Sequence, residues 1–267
     1  MGADIKQLRT RIKSVDSTLH LTKAMGLVAS SKIRRATDAM MKGREYVSAM
    51  ANAVHQLVSS SECAGSPYLS VRESGRTRLV VIAGDRGLAG GYNANIFRLM
   101  RDYADAEVMP IGKRACDRFG GELYYAEDFT YEAAKEMAVA FCADFVAGKY
   151  DRLGIVYTKY VSMMSQVPEI EWILPLSRPE KAAQSSIIFE PDEITVLNTV
   201  IPEYVAGMTV ALVKESFASE VAARRVAMDS AGKNAQEMID ELGLAYNRAR
   251  QGAITQEITE IVAGSGV

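Results

Sequence analysis

The stretch whose residue types and spacing come nearest to a ligand-binding motif is residues 84–93, GDRGLAGGYN. It follows an apolar run at residues 79–83, and a loop in this place binds pyrophosphate in dinucleotide-binding folds. Its glycine spacing, however, is neither G-x-G-x-x-G nor that of a Walker phosphate loop. The alternative is a tight strand-to-helix turn in which Asp85 and Arg86 form local hydrogen bonds. We favour the turn and predict that the loop binds no nucleotide.

Other kinds of catalytic or metal chemistry have little support in the residue types. The two histidines, His20 and His55, are far apart, and the carboxylates form no paired acid–base motif. The three cysteines, Cys63, Cys116 and Cys142, match no metal-site or disulfide spacing, which is typical of a reducing compartment. We therefore predict no catalytic residue, no metal and no cofactor.

A second candidate for binding is a basic cluster near the N-terminus. Its members are Lys32, Arg34, Arg35, Lys42 and Arg44. Two interpretations remain open, a solvated helix face and a surface for an acidic protein partner. Nucleic acid is not expected, because the net charge of the whole chain is −2 and no aromatic residues interleave with the cluster.

Residues 1–58 carry an apolar seven-residue repeat, which predicts one long helix in a left-handed coiled coil. The repeat has two series, one at every seventh residue from Ile5 and the other at every seventh residue from Leu8. The first series is Ile5, Ile12, Leu19, Gly26, Ile33, Met40, Val47 and Val54. The second is Leu8, Val15, Thr22, Ala29, Ala36, Gly43, Met50 and Leu57.

The other end of the chain, residues 203–267, is free of proline, rich in alanine and predicted to be the partner helix. Its apolar frame consists of Val221, Met228, Ala235, Leu242 and Ala249 together with Phe217, Ala231, Met238 and Ala245, and it continues to Ile254, Ile258 and Ile261. Residues 1–58 hold ten Lys/Arg and four Asp/Glu, a net charge of +6, whereas residues 203–267 hold six and nine, a net charge of −3. Opposite charges favour pairing of the two helices.

The middle of the chain contains all seven prolines and alternates between predicted strands and helices. We predict strands at residues 79–83, 108–111, 123–125, 153–157 and 167–176, and helices at 93–104, capped by Asn93, at 113–119 and at 132–146. Such alternation favours a doubly wound, mainly parallel sheet. The predicted fold is therefore α/β: a long antiparallel coiled coil of the terminal helices plus a central Rossmann-like α/β domain. The predicted division is helix 1–58, linker 59–76, α/β domain 77–200 and helix 203–267.

Several segments resemble the gamma subunit of F-type ATP synthase. They are residues 12–15, 21–25 and 28–36 near the start, 85–93, 157–160 and 174–176 in the middle, and YNRARQGAITQEITEIV at 246–262. The resemblance covers the whole chain in the same order. Gly84 stands where the family often has Ser or Thr, and Ala89 where it often has Cys. The paired-cysteine insertion of chloroplast forms is absent, so thiol control is not expected.

The resemblance implies a rotary central stalk without catalytic residues of its own. Its partners would be the alpha and beta subunits of the F1 hexamer, the epsilon subunit and the membrane c-ring. Ion flow through that ring would be coupled to ATP synthesis or hydrolysis in the hexamer. Residues implied to contact the hexamer are Met25, Glu220, Arg224, Arg250, Gln251 and Thr255. Because no signal or transit peptide and no direct transmembrane segment is visible, we expect a peripheral protein at the cytoplasmic face of a bacterial-type plasma membrane.

Two other classes of protein remain as alternatives. The first is an enzyme whose nucleotide-binding α/β domain carries a coiled-coil appendage, and the spacing of the glycine-rich loop argues against it. The second is a tethering coiled-coil protein without a rotary partner, for which a symmetric, self-paired dimer is expected.

Overall fold

The computed structural model describes residues 2–72, 75–178 and 189–266. Residues 73–74 of the predicted linker and residues 179–188 of the predicted central domain lie outside the described residues. The helices are α1 (Gly2–Ser59), α2 (Tyr92–Leu99), α3 (Lys113–Phe119), α4 (Tyr131–Val146) and α5 (Glu193–Gly264). The strands are β1 (Thr77–Ile82), β2 (Glu107–Ile111), β3 (Arg152–Tyr160) and β4 (Gln166–Leu174). The chain divides into two compact units, which are residues 31–223 and residues 1–30 with 224–267.

The unit formed by residues 1–30 and 224–267 is a pair of antiparallel helices. A Cβ added to Gly26 would lie 3.7 Å from the Cβ of Met228, and one added to Gly232 would lie 3.5 Å from Oγ1 of Thr22. Residue 26 therefore faces 228, whereas the earlier residue 22 faces the later residue 232, and the helices run in opposite directions. Leu19, Thr22 and Met228 are buried between them, as expected for the predicted coiled coil.

The predicted apolar series on α5 is partly wrong. Met238 is 41% exposed, and Ala245 is also exposed, whereas Ile239 and Tyr246 are half-buried. The second inward series thus runs one residue later than predicted from residue 239 onwards, whereas Ala231 and Gly232 are both half-buried. The cause is composition: alanine-rich segments present small apolar residues on every side, so the sequence alone does not mark the inward one.

The unit formed by residues 31–223 is built on a four-stranded sheet with the order β2-β1-β3-β4. Strand β1 pairs in parallel with β2 and with β3, and β4 pairs antiparallel with β3 at the edge. Residues Leu79 to Ile82 of β1 are fully buried, as is typical of a central parallel strand covered on both faces. The predicted mainly parallel sheet is confirmed.

The predicted strand at residues 123–125 is absent from the described structure. The chain there is irregular, and Leu123 and Tyr125 are 42% and 49% exposed. The backbone N–H of Gly112 donates to the carbonyl of Tyr124 at 2.7 Å, which places the segment at the end of β2. Gly120 and Gly121, with φ of 76° and 99°, turn the chain just before this segment, which prevents it from continuing along the sheet edge.

Helix α5 begins ten residues earlier than predicted, at Glu193, and includes Pro202. Proline inside a helix costs one hydrogen bond and a steric clash. The compensation is burial, because Leu197, Ile201 and Val205 are fully buried at four-residue spacing on the face that packs into the core. The proline signal was therefore misleading at this position.

The stretch after α1 is compact where it is described. It contains two 3-10 helices, Glu62–Gly65 and Pro67–Leu69, and each buries a side chain, Cys63 and Tyr68, in the same core as the sheet. The backbone N–H of Leu176 donates to the carbonyl of Tyr68 at 2.8 Å. This part of the chain is thus packed against the α/β unit.

Helix α5 includes an 18-residue window with a mean hydropathy of 1.5, which by length and composition could cross a membrane. Within the protein, 56% of that window is buried. A buried core helix passes the same test, so the window is weak evidence for a membrane span.

Candidate functional site

The glycine-rich loop uses its polar groups to hold itself in place. The carboxylate of Asp85 accepts hydrogen bonds from the backbone N–H groups of Lys113, Ala126 and Glu127 at 3.0–3.1 Å. The backbone N–H of Gly84 donates to Oδ1 of Asn93 at 2.9 Å. Asn93 was predicted to cap the following helix. That prediction is wrong, because α2 already begins at Tyr92 and the Asn93 amide binds Gly84 instead.

Helix α5 fills the crevice in which an open α/β sheet usually binds a ligand. That crevice lies beyond the carboxyl ends of the strands where the strand order reverses, here between β1 and β3. Ser216, Ser219 and Glu220 of α5 are at most 2% exposed there. The Ser216 hydroxyl lies 2.8 Å from the hydroxyl of Tyr92. This filling supports the prediction that the loop binds no nucleotide, which stays a prediction.

The hydroxyl of Tyr92 remains protonated in this crevice. Burial raises the pKa of Tyr92, and the nearby charge of Glu220 raises it further. As a donor, the hydroxyl reaches the carbonyl of Ser216 at 3.0 Å. The start of α2 is in this way tied to α5 by a hydrogen bond that no change of physiological pH removes.

The basic cluster is divided between internal ion pairs and exposed charges. Lys32 pairs with Glu127, and Arg44 forms a two-point contact with Glu215 at 2.7 and 3.1 Å. The hydrogen bond to Glu215 raises the pKa of Arg44. The remaining members, Arg34, Arg35 and Lys42, are exposed. Arg44 is exposed as well, but its charge is paired with Glu215. Arg34, Arg35 and Lys42 are therefore the members best placed for the acidic-partner interpretation, which stays a prediction.

The six residues implied to contact the hexamer do not form one cluster. Met25 and Arg224 are half-buried, and Arg250, Gln251 and Thr255 are exposed. Arg224 and Arg250 are separated by 26 residues of one helix, or about 39 Å at ~1.5 Å per residue. Glu220 differs from the other five because it belongs to the α/β unit and is 2% exposed beside Gly84.

Sequence reasoning missed an exposed apolar surface on α1. Leu21, Leu27 and Val28 are 59%, 72% and 55% exposed. All three lie outside the seven-residue series. Because they are apolar but do not belong to the predicted seam, the sequence alone could have marked them as an exposed apolar surface. On α5, Ile254, Ile258 and Ile261 are 47%, 56% and 69% exposed. Exposed apolar residues that recur along helices favour contact with another protein.

Comparison with known proteins identifies the family. The sequence profile of a family described as ATP synthase matches residues 4–266. The ATP synthase gamma chain of Ruminococcus albus is 40% identical over 281 residues, which cover 98% of each chain. The chain belongs to the ATP synthase gamma chain family. A second relative, the sodium-ion-specific ATP synthase gamma chain of Acetobacterium woodii, is 36% identical over 298 residues and 99% of each chain.

Chains in solved ATP synthase structures share the fold of this protein. A chain from the Euglena gracilis mitochondrial ATP synthase, solved with OSCP, F1 and the c-ring, superposes with a TM-score of 0.69 at 18% identity. The match covers 100% of this chain and 97% of that chain. A chain from the central stalk and c-ring of Tetrahymena thermophila mitochondrial ATP synthase gives a TM-score of 0.63 at 22% identity, covering 79% and 99%.

Family membership confirms the function predicted from the sequence. The chain is a non-catalytic subunit of ATP synthase and serves as its central rotary shaft. It is part of the membrane-associated F1 complex. The enzyme alternative, in which this chain binds and converts a nucleotide by itself, is not supported by this assignment.

Proposed function

We propose that this chain transmits rotation between a membrane c-ring and a hexamer of alpha and beta subunits. In this proposal the coiled-coil unit contacts the hexamer, and the α/β unit contacts the epsilon subunit and the ring. The observation that carries the proposal is the relationship over nearly the full length to gamma chains, at 40% identity. The filled crevice of the α/β unit supports a mechanical role for that unit, because its ligand position is taken by α5.

The shaft acts by contacting different states of its partner unequally. A ligand shifts a conformational equilibrium only by the difference in its affinity for the states. A coiled coil that exposes apolar residues on α1 and α5 at different heights presents a different surface at each angle of rotation. Each beta subunit therefore meets a different contact surface as the shaft turns, and its nucleotide-bound conformations change in population.

Five of the six implied residues are proposed as direct contacts, namely Met25, Arg224, Arg250, Gln251 and Thr255. Arg250 and Gln251 are exposed on α5 and offer hydrogen-bond donors to the partner. Glu220 is buried, so in this proposal it contributes only indirectly, by supporting the loop at Gly84. The division of the chain into residues 1–58, 59–76, 77–200 and 203–267 is part of the same proposal.

We further propose that the complex lies at the cytoplasmic face of a bacterial-type plasma membrane, with this chain as a peripheral component. The support is the similarity to gamma chains of Ruminococcus albus and Acetobacterium woodii. Fractionation of the native cells tests this proposal. Membranes should retain the chain, and a chelator with low salt should release it together with alpha and beta subunits. Recovery only in the soluble fraction would contradict it.

The shaft itself is tested by co-expression with alpha and beta subunits. We expect this chain to co-purify at one copy per three alpha and three beta subunits, and a bead fixed to it to rotate when ATP is supplied. A symmetric dimer of this chain that binds neither alpha nor beta subunits would instead favour the tethering alternative. Micromolar binding of ATP or NAD to the purified chain in calorimetry would revive the enzyme alternative.

A further inference from the structure

Strand β3 extends beyond strand β1, so its last residues have no neighbouring strand on one side. Pairing of β1 with β3 ends at Val81 and Val156, whereas β3 continues to Tyr160 and stays paired with β4 on its other side. The backbone N–H and C=O groups of successive residues in a strand point to opposite sides, and those of Thr158 and Tyr160 point away from β4, to the side where β1 has ended. They need partners there, because buried backbone groups are almost always hydrogen-bonded.

Two serines of α5 supply the partners of Thr158. The backbone N–H of Thr158 donates to Oγ of Ser216 at 3.2 Å, and Oγ of Ser219 donates to the carbonyl of Thr158 at 2.9 Å. Both serines are fully buried. The two serine hydroxyls of α5 thus accept from and donate to the backbone of Thr158, as the backbone groups of a neighbouring strand would do.

The same arrangement repeats two residues later with an ion pair between the exposed Arg44 and the buried Glu215. The backbone N–H of Tyr160 donates to Oε1 of Glu215 at 3.1 Å, and the carbonyl of Tyr160 accepts from Nη2 of Arg44 at 2.9 Å. Arg44 also binds both carboxylate oxygens of Glu215. Glu215 is only 5% exposed. One residue of β3 is thereby connected to α5 and α1 together.

We propose that these contacts are a polar joint that fixes the sheet on helix α5, so that torque passes between them without slip. The joint consists of Arg44, Thr158, Tyr160, Glu215, Ser216 and Ser219. Apolar packing is non-directional and tolerates small rotations, whereas hydrogen bonds weaken steeply when their angles change. A twist of the sheet about α5 disturbs the bonds of Thr158 and Tyr160 simultaneously. This role rests on the proposed rotary function.

The mechanical role is tested in the assembled complex, with the hexamer immobilised and a bead fixed to the α/β unit. The variants are Arg44→Met and the double change Ser216→Ala with Ser219→Ala. The control is Lys159→Met, which removes a 3.1 Å ion pair between β3 and β4 without touching α5. We expect the angular variance of the resting bead to rise about twofold in both joint variants, since each loses two or more directional bonds, and to stay unchanged in the control. An unchanged angular variance in the joint variants, or an equal rise in the control, would contradict the proposed role of the joint.

Hydrogen exchange on the isolated full chain tests the contacts separately from rotation. In Ser216→Ala the amide of Thr158 should exchange about tenfold faster, because it loses its acceptor. The amide of Val156, which lies in the paired part of β3, should keep its rate. An unaltered rate at Thr158 would remove the basis of the joint. A wild-type complex that does not rotate would overturn the rotary function, and the torque role with it, even where the exchange pattern is as expected.

Discussion

The carboxylate of Glu220 occupies the space that a side chain at residue 84 would need. A Cβ added to Gly84 would lie 2.8 Å from the carboxylate carbon and 2.9 Å from Oε1 of Glu220. Real Cβ atoms essentially never approach so closely, and Glu220 is 2% exposed and enclosed by the fold. Glycine at this position therefore has a physical role in this chain, which is to let a buried acid of α5 approach the loop.

Gly84→Ala should destabilise the chain by about 1–3 kcal/mol, the usual cost of overpacking a filled site. Gly65→Ala is the matched control, because a Cβ at Gly65 meets nothing within 4 Å. Urea unfolding of both variants gives the comparison. Adding Glu220→Ala to Gly84→Ala should recover part of the loss, since the clash is removed. Equal midpoints for Gly84→Ala and Gly65→Ala would show that Glu220 moves aside at no cost.

Two leucines of α1 that are two residues apart lie on different faces of the helix, one in the seam of the coiled coil and the other on its outer surface. Leu19 is 5% exposed and Leu21 is 59% exposed. Leu19→Ala should cost about 2–5 kcal/mol of helix-pair stability, as for other buried leucines, whereas Leu21→Ala should stay within about 0.5 kcal/mol. Helix content followed by circular dichroism during unfolding measures both. Similar losses in the two variants would contradict the assigned seam.

The seven-residue repeat of α1 was readable because its residues differ strongly between faces. All sixteen residues of the two predicted series are buried or half-buried. A helix that must hide one narrow stripe along its whole length repeats that stripe in its sequence. In α5 the same reasoning succeeded at Met228 and Ala235 but failed at Met238, because alanine on every face removes the contrast.

The buried polar residues of α5 were beyond sequence reasoning. Glu215, Ser216 and Ser219 are types that normally face solvent on a helix. Their partners, Thr158 and Tyr160, lie more than fifty residues away in the chain. The demand for hydrogen bonds that they meet arises because pairing with β1 ends at Val156, whereas β3 continues to Tyr160. Such a demand depends on strand register, which no local pattern encodes.

The three cysteines should differ in reactivity. Burial raises the pKa of Cys142 to about 12 and also raises that of Cys63, and both side chains are buried. Cys116 is half-buried, and burial raises its pKa as well. With a thiol reagent at pH 8, we expect Cys116 to react first in the folded chain and the other two only after unfolding. Rapid labelling of Cys142 in the folded chain would contradict its placement in the core.

The stability contributed by Asp144 should disappear in acid. Hydrogen bonds from Lys149 and Arg78, at 2.7 and 2.8 Å, lower the pKa of Asp144 below its ordinary value of 3.8. A lowered folded-state pKa stabilises the fold above the unfolded-state pKa, and the effect is lost as the pH falls through the folded-state pKa. Asp144→Asn should therefore be less stable than wild type at pH 7, and the difference should shrink below pH 3.8. The control is Asp38→Asn on the exposed face of α1, and an Asp144→Asn loss that is constant with pH would contradict the ion pairs.

Arg250 and Gln251 should matter to turnover more than to folding. Both are exposed on α5, so their loss should change the stability of the free chain by no more than about 0.5 kcal/mol. A contact made only at some rotor angles acts on the catalytic cycle instead, and losing a hydrogen bond to a charged group corresponds to about tenfold in rate. We therefore expect Arg250→Ala and Gln251→Ala to lower ATP hydrolysis by the assembled complex strongly, while Arg248→Ala, an exposed arginine two residues away, has little effect. Melting of the free chain and hydrolysis by the complex are measured on the same three variants. Unchanged hydrolysis with a clearly lowered melting temperature would show that Arg250 and Gln251 serve the fold and not the coupling.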